Sequence, residues 1–420
     1  MAIIEEFDGW LKKGLGRAVT HLRAHDGKPY LESVLNACIH NLAYDSQCEC
    51  SREEYLKDLI QASGDEAFFR QGLMRALTSE RIDTDQVDLG QIIAISRMFA
   101  ERDDAETKVA MYGAIKRAGF ESAGICYTDM IALDGTYALR VASEDFPKQM
   151  GDFDLWMLDE MLSALEARDG AEAARLAIHE SLDNTPKLNA VAERIGKANT
   201  PKSFMDETDG LDYALLKLKI QHQTRRQQFS RWGQSASAEE LQSAADDLIN
   251  ETDSNRLLSY LSIFRKVQFP GPIDRLLELA EDAEVLLSRA AIRILSRISD
   301  PRIRILLLKM MDIENRRGDA VELMTGILCE GDFLRIEESL RVTQDIHSLH
   351  SIGMGLRYLL KTHCVPESIG CLMFLYENDP CSLCRGEFVE NLITLKSIPE
   401  WMRDECLLDS DPETRKLVQS

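Results

Sequence analysis

The sequence predicts an all-α chain built as a curved stack of antiparallel helix pairs. Three observations carry this. Apolar residues recur at three- and four-residue steps along most of the chain, β-branched alternating runs are scarce, and one two-helix unit is repeated in tandem. Such units cannot bury their apolar faces alone and must stack on one another.

Ile3, Ile4, Phe7, Trp10, Leu11, Leu15, Val19 and Leu22 mark one helical face running from Ile3 to Ala24. Like stripes follow over Tyr30 to Leu42, Arg52 to Ala62, Glu66 to Leu77, Val87 to Phe99, Ala105 to Ala118 and Ser122 to Leu133. Turn punctuation separates the helices: Ser63-Gly64, Asp134-Gly135, Asp169-Gly170, Asp300-Pro301, Asp379-Pro380 and Asp411-Pro412. Asp before Pro signals helix entry, because Asp caps free N–H groups and Pro at the first helical position loses no bond it would have made.

Laying Gly271 to Ile298 over Asp300 to Ile327, an offset of 29 residues, sets Pro272 on Pro301, Arg275 on Arg304, Leu277 on Leu306, Leu279 on Leu308 and Ala291 on Ala320. Leu276 then meets Ile305, and Ile292, Ile294 and Leu295 meet Val321, Leu323 and Met324. The stretch Leu287 to Ile298 followed by Asp300-Pro301 resembles the join between two short HEAT repeats, and Asp409 to Arg415 echoes it. The whole chain is similar to bacterial HEAT-repeat proteins of unassigned activity, through Tyr44-Asp-Ser-Gln47, Glu53-Tyr-Leu56 and Pro380-Cys-Ser-Leu-Cys-Arg385, and its short repeats resemble those of phycobilin lyases. The resemblance implies an α-solenoid, a HEAT/armadillo-like superhelix, and no chemistry. A joint at Lys197 to Gly210 divides a degenerate N-terminal repeat segment, residues 1–200, from a HEAT-like segment, residues 210–420.

A formal net charge of −22 opposes nucleic acid and anionic membrane, and favours a basic partner if any charged one. No stretch approaches the roughly 18 apolar residues of a membrane span, and the N-terminus lacks a signal peptide's pattern, so the cytoplasm is the expected location. Ten irregularly placed cysteines make no disulfide framework. Cys38, Cys126, Cys329 and Cys371 read as buried small hydrophobes.

Two stretches stand out chemically. Lys217, Lys219, Arg225, Arg226 and Arg231, with His222, Phe229 and Trp232, lie in a segment without acids, a pattern suited to an anion or a partner surface. The plainer alternative is a solvated helix with its bases paired to neighbouring acids. Cys381 and Cys384 form a single Cys-x-x-Cys pair. Structural zinc ordinarily takes two such pairs, so capping without metal is the simpler reading. His347 and His350 stand one turn apart without a carboxylate helper in sequence, and His21 and His25 stand four apart. No phosphate loop or nucleophile elbow occurs, and no cofactor is expected.

The expected function is a non-catalytic scaffold or adaptor that holds a protein or peptide. The alternative is an enzyme similar to the HEAT-repeat alkylpurine DNA glycosylases, with the basic stretch 217–231 against DNA, although no catalytic Asp and Trp pattern of that family aligns.

Overall fold

The computed structural model describes residues 2–79, 86–147, 151–172, 176, 211–221 and 227–419, and every element among them is a helix. The chain falls into two compact units. The first comprises Met1–Lys202, Pro380–Leu383 and Pro399–Ser420, the second Ser203–Asp379 and Cys384–Ile398. Residues 197–210, where the sequence places a joint, lie outside the described residues.

The first unit opens with α1 (Ala2–Lys13), α2 (Arg17–Ala24), α3 (Leu31–Ile39), α4 (Glu53–Ser63), α5 (Glu66–Thr78), α6 (Gln86–Ala100) and α7 (Ala105–Ala118). It continues with the single turn α8 (Phe120–Ala123), then α9 (Tyr127–Asp134), α10 (Thr136–Asp145) and α11 (Asp152–Asp169). Helices near one another in sequence pack together, α2 on α4, α3 on α5 and α6, α5 on α7, and α9 on α10 and α11. Their inward faces, including Phe7, Val19, Leu59, Ile93, Met111, Met130 and Met161, join in one core.

The first stripe is two helices rather than one. Gly14 takes a left-handed φ of 71°, and a β-carbon there would stand 1.9 Å from Ser410 Oγ, so only glycine admits the turn. The stripe continues because the chain turns and then resumes helix on the same core. The turn mark at Gly64 acts as read, capping α4 in the left-handed conformation, and Asp65 and Asp104, outside that punctuation, cap α5 and α7 through their side chains.

The second unit contains α12 (Tyr213–Gln221), α13 (Gln227–Ser235), α14 (Ala238–Asn250), α15 (Ser254–Ile263), α16 (Asp274–Ala280), α17 (Val285–Leu295), α18 (Pro301–Met311), α19 (Arg317–Leu323), α20 (Asp332–Val342), α21 (Ile346–Leu360), α22 (Ile369–Asn378) and, from Cys384 onward, α23 (Ser382–Thr394). Pairs α16/α17, α18/α19 and α20/α21 each pack internally, and α15, α17, α19 and α21 pack one on the next. Asp300 caps α18, accepting from Arg302 N, with Pro301 at the first helical position. Back in the first unit, α24 (Glu400–Cys406) and α25 (Pro412–Leu417) close the chain, and Asp411 caps α25.

Burial corrects the register of the repeat. In α17 and α19 the offset of 29 holds, with Ala291, Ile292, Ile294 and Leu295 buried like Ala320, Val321, Leu323 and Met324. In α16 and α18 the buried sets are Ile273, Leu276 and Ala280 against Ile303, Leu306 and Met310, one residue further along. Ile305, set opposite buried Leu276 by the sequence alignment, is 72% exposed. The turn between the helices of a pair absorbs the one-residue difference.

Close contact between pairs is set by small residues. A β-carbon on Gly318 of α19 would lie 2.4 Å from the Ser351 carbonyl of α21, and one on Gly355 would lie 2.3 Å from the Gly318 carbonyl. Polar ties also cross from pair to pair. Arg304 holds Asp332 with two 2.7 Å hydrogen bonds, and Arg302 reaches Asp274 at 2.8 Å.

Candidate functional site

In the second unit a groove of about 480 Å³ crosses three successive helix pairs. Its walls come from equivalent places: Glu281, Asp282 and Ser288 about the start of α17, Arg316 and Asp319 about the start of α19, and Asp345 and Ser348 about the start of α21. Arg316 ties the first pair to the second, donating to the Ala280 carbonyl and to Ser288 Oγ at 2.9 Å each while its Nε bonds Asp319 at 2.6 Å. Asp345 caps α21 through Ser348 N at 2.7 Å. The lining carries the carboxylates of Glu281, Asp282, Asp319 and Asp345 against the guanidiniums of Arg289 and Arg316. Val285 in its wall is 59% exposed. Ile313, in the turn before α19, and Ile346, the first residue of α21, are exposed as well.

The basic stretch is divided. Arg225, Arg226 and His222 lie outside the described residues. Lys217 on α12 is ion-paired with Asp247 at 2.6 Å, and this hydrogen bond raises its pKa. Lys219 is partly buried and Arg231 exposed, and both carry further interactions. Trp232 is a core residue and no surface anchor. It is 3% exposed, and its indole N–H donates to the Leu211 carbonyl at 2.8 Å. Phe229 is buried beside it in sequence. Among the tryptophans, Trp156, stacked on Phe153, and Trp401, under Arg17, are the exposed ones.

Cys38, Cys126 and Cys371 are buried as expected, and burial pushes the thiols of Cys126 and Cys371 up to about 12. Cys329 is a correction. It sits exposed in the turn before α20, where its N–H donates to Asp332. Cys381 and Cys384 are both buried.

Sequence spacing alone did not find the surroundings of Cys384. His350, Met354 and Arg357 share one face of α21 at steps of four and three. Cys384 Sγ lies 3.6 Å from Met354 Sδ and 3.2 Å from Arg357 Nη1, and a ring nitrogen of His350 is within 4.8 Å of it. The carboxylate helper that His350 lacks in sequence is Asp379, fully buried, at 3.2 Å from Nδ1. Glu387 of α23 clamps Arg357 through Nε and Nη2, so that Nη1 faces both sulfurs. His347 goes elsewhere, to the groove. His21 and His25 stack at 4.3 Å, with His25 bonded to the His21 carbonyl and His21 to Tyr30.

No helix among the described residues is long and apolar enough to cross a membrane. No family model, curated protein or solved structure matches the chain.

Proposed function

We propose that this protein is an interaction module, an α-solenoid of HEAT-like helix pairs whose groove in the second unit takes an extended, positively charged peptide segment of another protein. The observation that carries the reading is the groove's construction from equivalent positions of three consecutive pairs. Such a surface meets a ligand that runs across the repeats. Its excess of carboxylates and the chain's charge of −22 select basic side chains, and the exposed Val285 offers an apolar contact between them.

The reading as a DNA-binding enzyme has less to rest on, since Lys217 is engaged by Asp247 and Trp232 is core.

Selection of displayed random peptides on the full chain tests the proposal. Enriched sequences should be rich in Lys and Arg, bind more weakly as salt rises, and lose at least about tenfold in affinity to a Glu281→Lys, Asp282→Lys variant of unchanged circular dichroism. Binders indifferent to both salt and the variant, or no enrichment, would overturn it.

A further inference from the structure

The donors gathered around Cys384 are chemically unlike the rest of the second unit. A thiol, a thioether and an imidazole converge from two helices, with sulfur atoms 3.6 Å apart. That spacing matches the edge between two ligands of one metal ion, given metal–sulfur bonds of about 2.3 Å. Thiolate and thioether together select soft cations, Cu(I) foremost.

We propose that His350, Met354 and Cys384 form a binding site for a cuprous ion. Two further observations support it. Asp379 Oδ1 at Nδ1 of His350 is the outer carboxylate that fixes a ligating imidazole's tautomer and ring orientation. The Arg357 guanidinium, locked by Glu387, points at both sulfurs and places a fixed positive charge beside the donor set. The same guanidinium penalises a dication more than a monocation, which sets Cu(I) above Zn(II).

Access also fits a bare ion better than an organic substrate. Cys384 is 2% exposed, which closes it to a molecule needing nucleophilic attack, while His350 and Met354 are half-buried and lead in from the surface. On binding, the Cys384 thiol gives its proton to solvent and its sulfur forms the metal bond, with no change of oxidation state. The site is independent of the groove.

The test is anaerobic titration of Cu(I) against a chromophoric cuprous chelator. The full chain carries Cys48→Ser, Cys50→Ser and Cys329→Ser, which removes the exposed thiols able to scavenge copper. One ion per chain should be retained. Cys384→Ser, Met354→Leu and His350→Gln should each weaken it by about tenfold or more, with Asp379→Asn giving a smaller loss. Met354→Leu conserves volume, and circular dichroism checks that each variant is folded. Failure to retain Cu(I), or retention undiminished in folded Cys384→Ser or Met354→Leu chains, would overturn the site. Zn(II) held as tightly through the same three residues would overturn the cuprous assignment.

Discussion

Arg304 grips the fully buried carboxylate of Asp332 through two hydrogen bonds of 2.7 Å, joining α18 to α20. The hydrogen bonds to Asp332 hold the Arg304 pKa above its ordinary value. Asp332 also accepts from Cys329 N, so it fixes the entry to α20. Arg304→Ala strands a buried charge, and such losses cost about 3 kcal/mol or more. Urea denaturation should show this loss, with a smaller one for Asp332→Asn, which keeps the side chain's shape and one acceptor but removes the charge and the other acceptor.

Gly14 and Gly64 separate two costs that glycine avoids. Both have left-handed φ, 71° and 76°, but a β-carbon on Gly64 meets nothing within 4 Å, whereas one on Gly14 meets Ser410. Gly64→Ala should lower stability by about 1 kcal/mol, the conformational cost alone. Gly14→Ala should cost more, because Ser410 N also donates to the Gly14 carbonyl at 2.9 Å and a shift would break that bond. Thermal melts of the two variants give the comparison.

Asp129 provides a pH-dependent element. Burial raises its carboxyl to about 6 against the opposing pull of Arg97, which bonds it at 2.8 Å. A carboxyl raised above its unfolded value of about 3.9 favours folding in the protonated form. Its contribution is therefore full below about pH 4 and is lost as pH rises through about 6. Asp129→Asn, which keeps an acceptor for Arg97, should raise stability at pH 7 by on the order of 2 kcal/mol, and the gain should vanish near pH 4. A gain independent of pH would refute the assignment.

Glu49 works with the opposite sign. Burial by itself would raise its pKa, but Arg52, the Ser382 hydroxyl and the N–H groups of Asp45 and Ser382 together hold it below the usual carboxylate range. The stability it contributes is present above its unfolded value of about 4.3 and is lost as pH falls through the folded pKa. Glu49→Gln leaves Arg52, itself 3% exposed, without its charge partner, and should cost about 3 kcal/mol at pH 7. The difference from the parent should shrink in acid melts.

Local physics was legible in the residues. Apolar stripes mark the inward faces of most helices because side-chain direction in a helix follows from spacing alone. Caps at Asp300 and Asp411 and the turn at Gly64 could be read because each acts within three residues of itself. The second helices of the repeat kept their offset for the same reason.

Tertiary structure decided the rest, since pairing between distant segments leaves no periodic trace. Only the fold brings Ser410 onto Gly14, within the first unit, at the turn that divides the opening stripe into two helices. Only the fold turns Trp232 inward, although its basic neighbours suggested a surface. His350 and Met354 share a helix face, but the sulfur and the carboxylate that give them a chemical role arrive from residues 384 and 379. Contacts of that kind depend on which helix packs on which, and that is settled by how whole faces fit together rather than by any residue's neighbours in the chain.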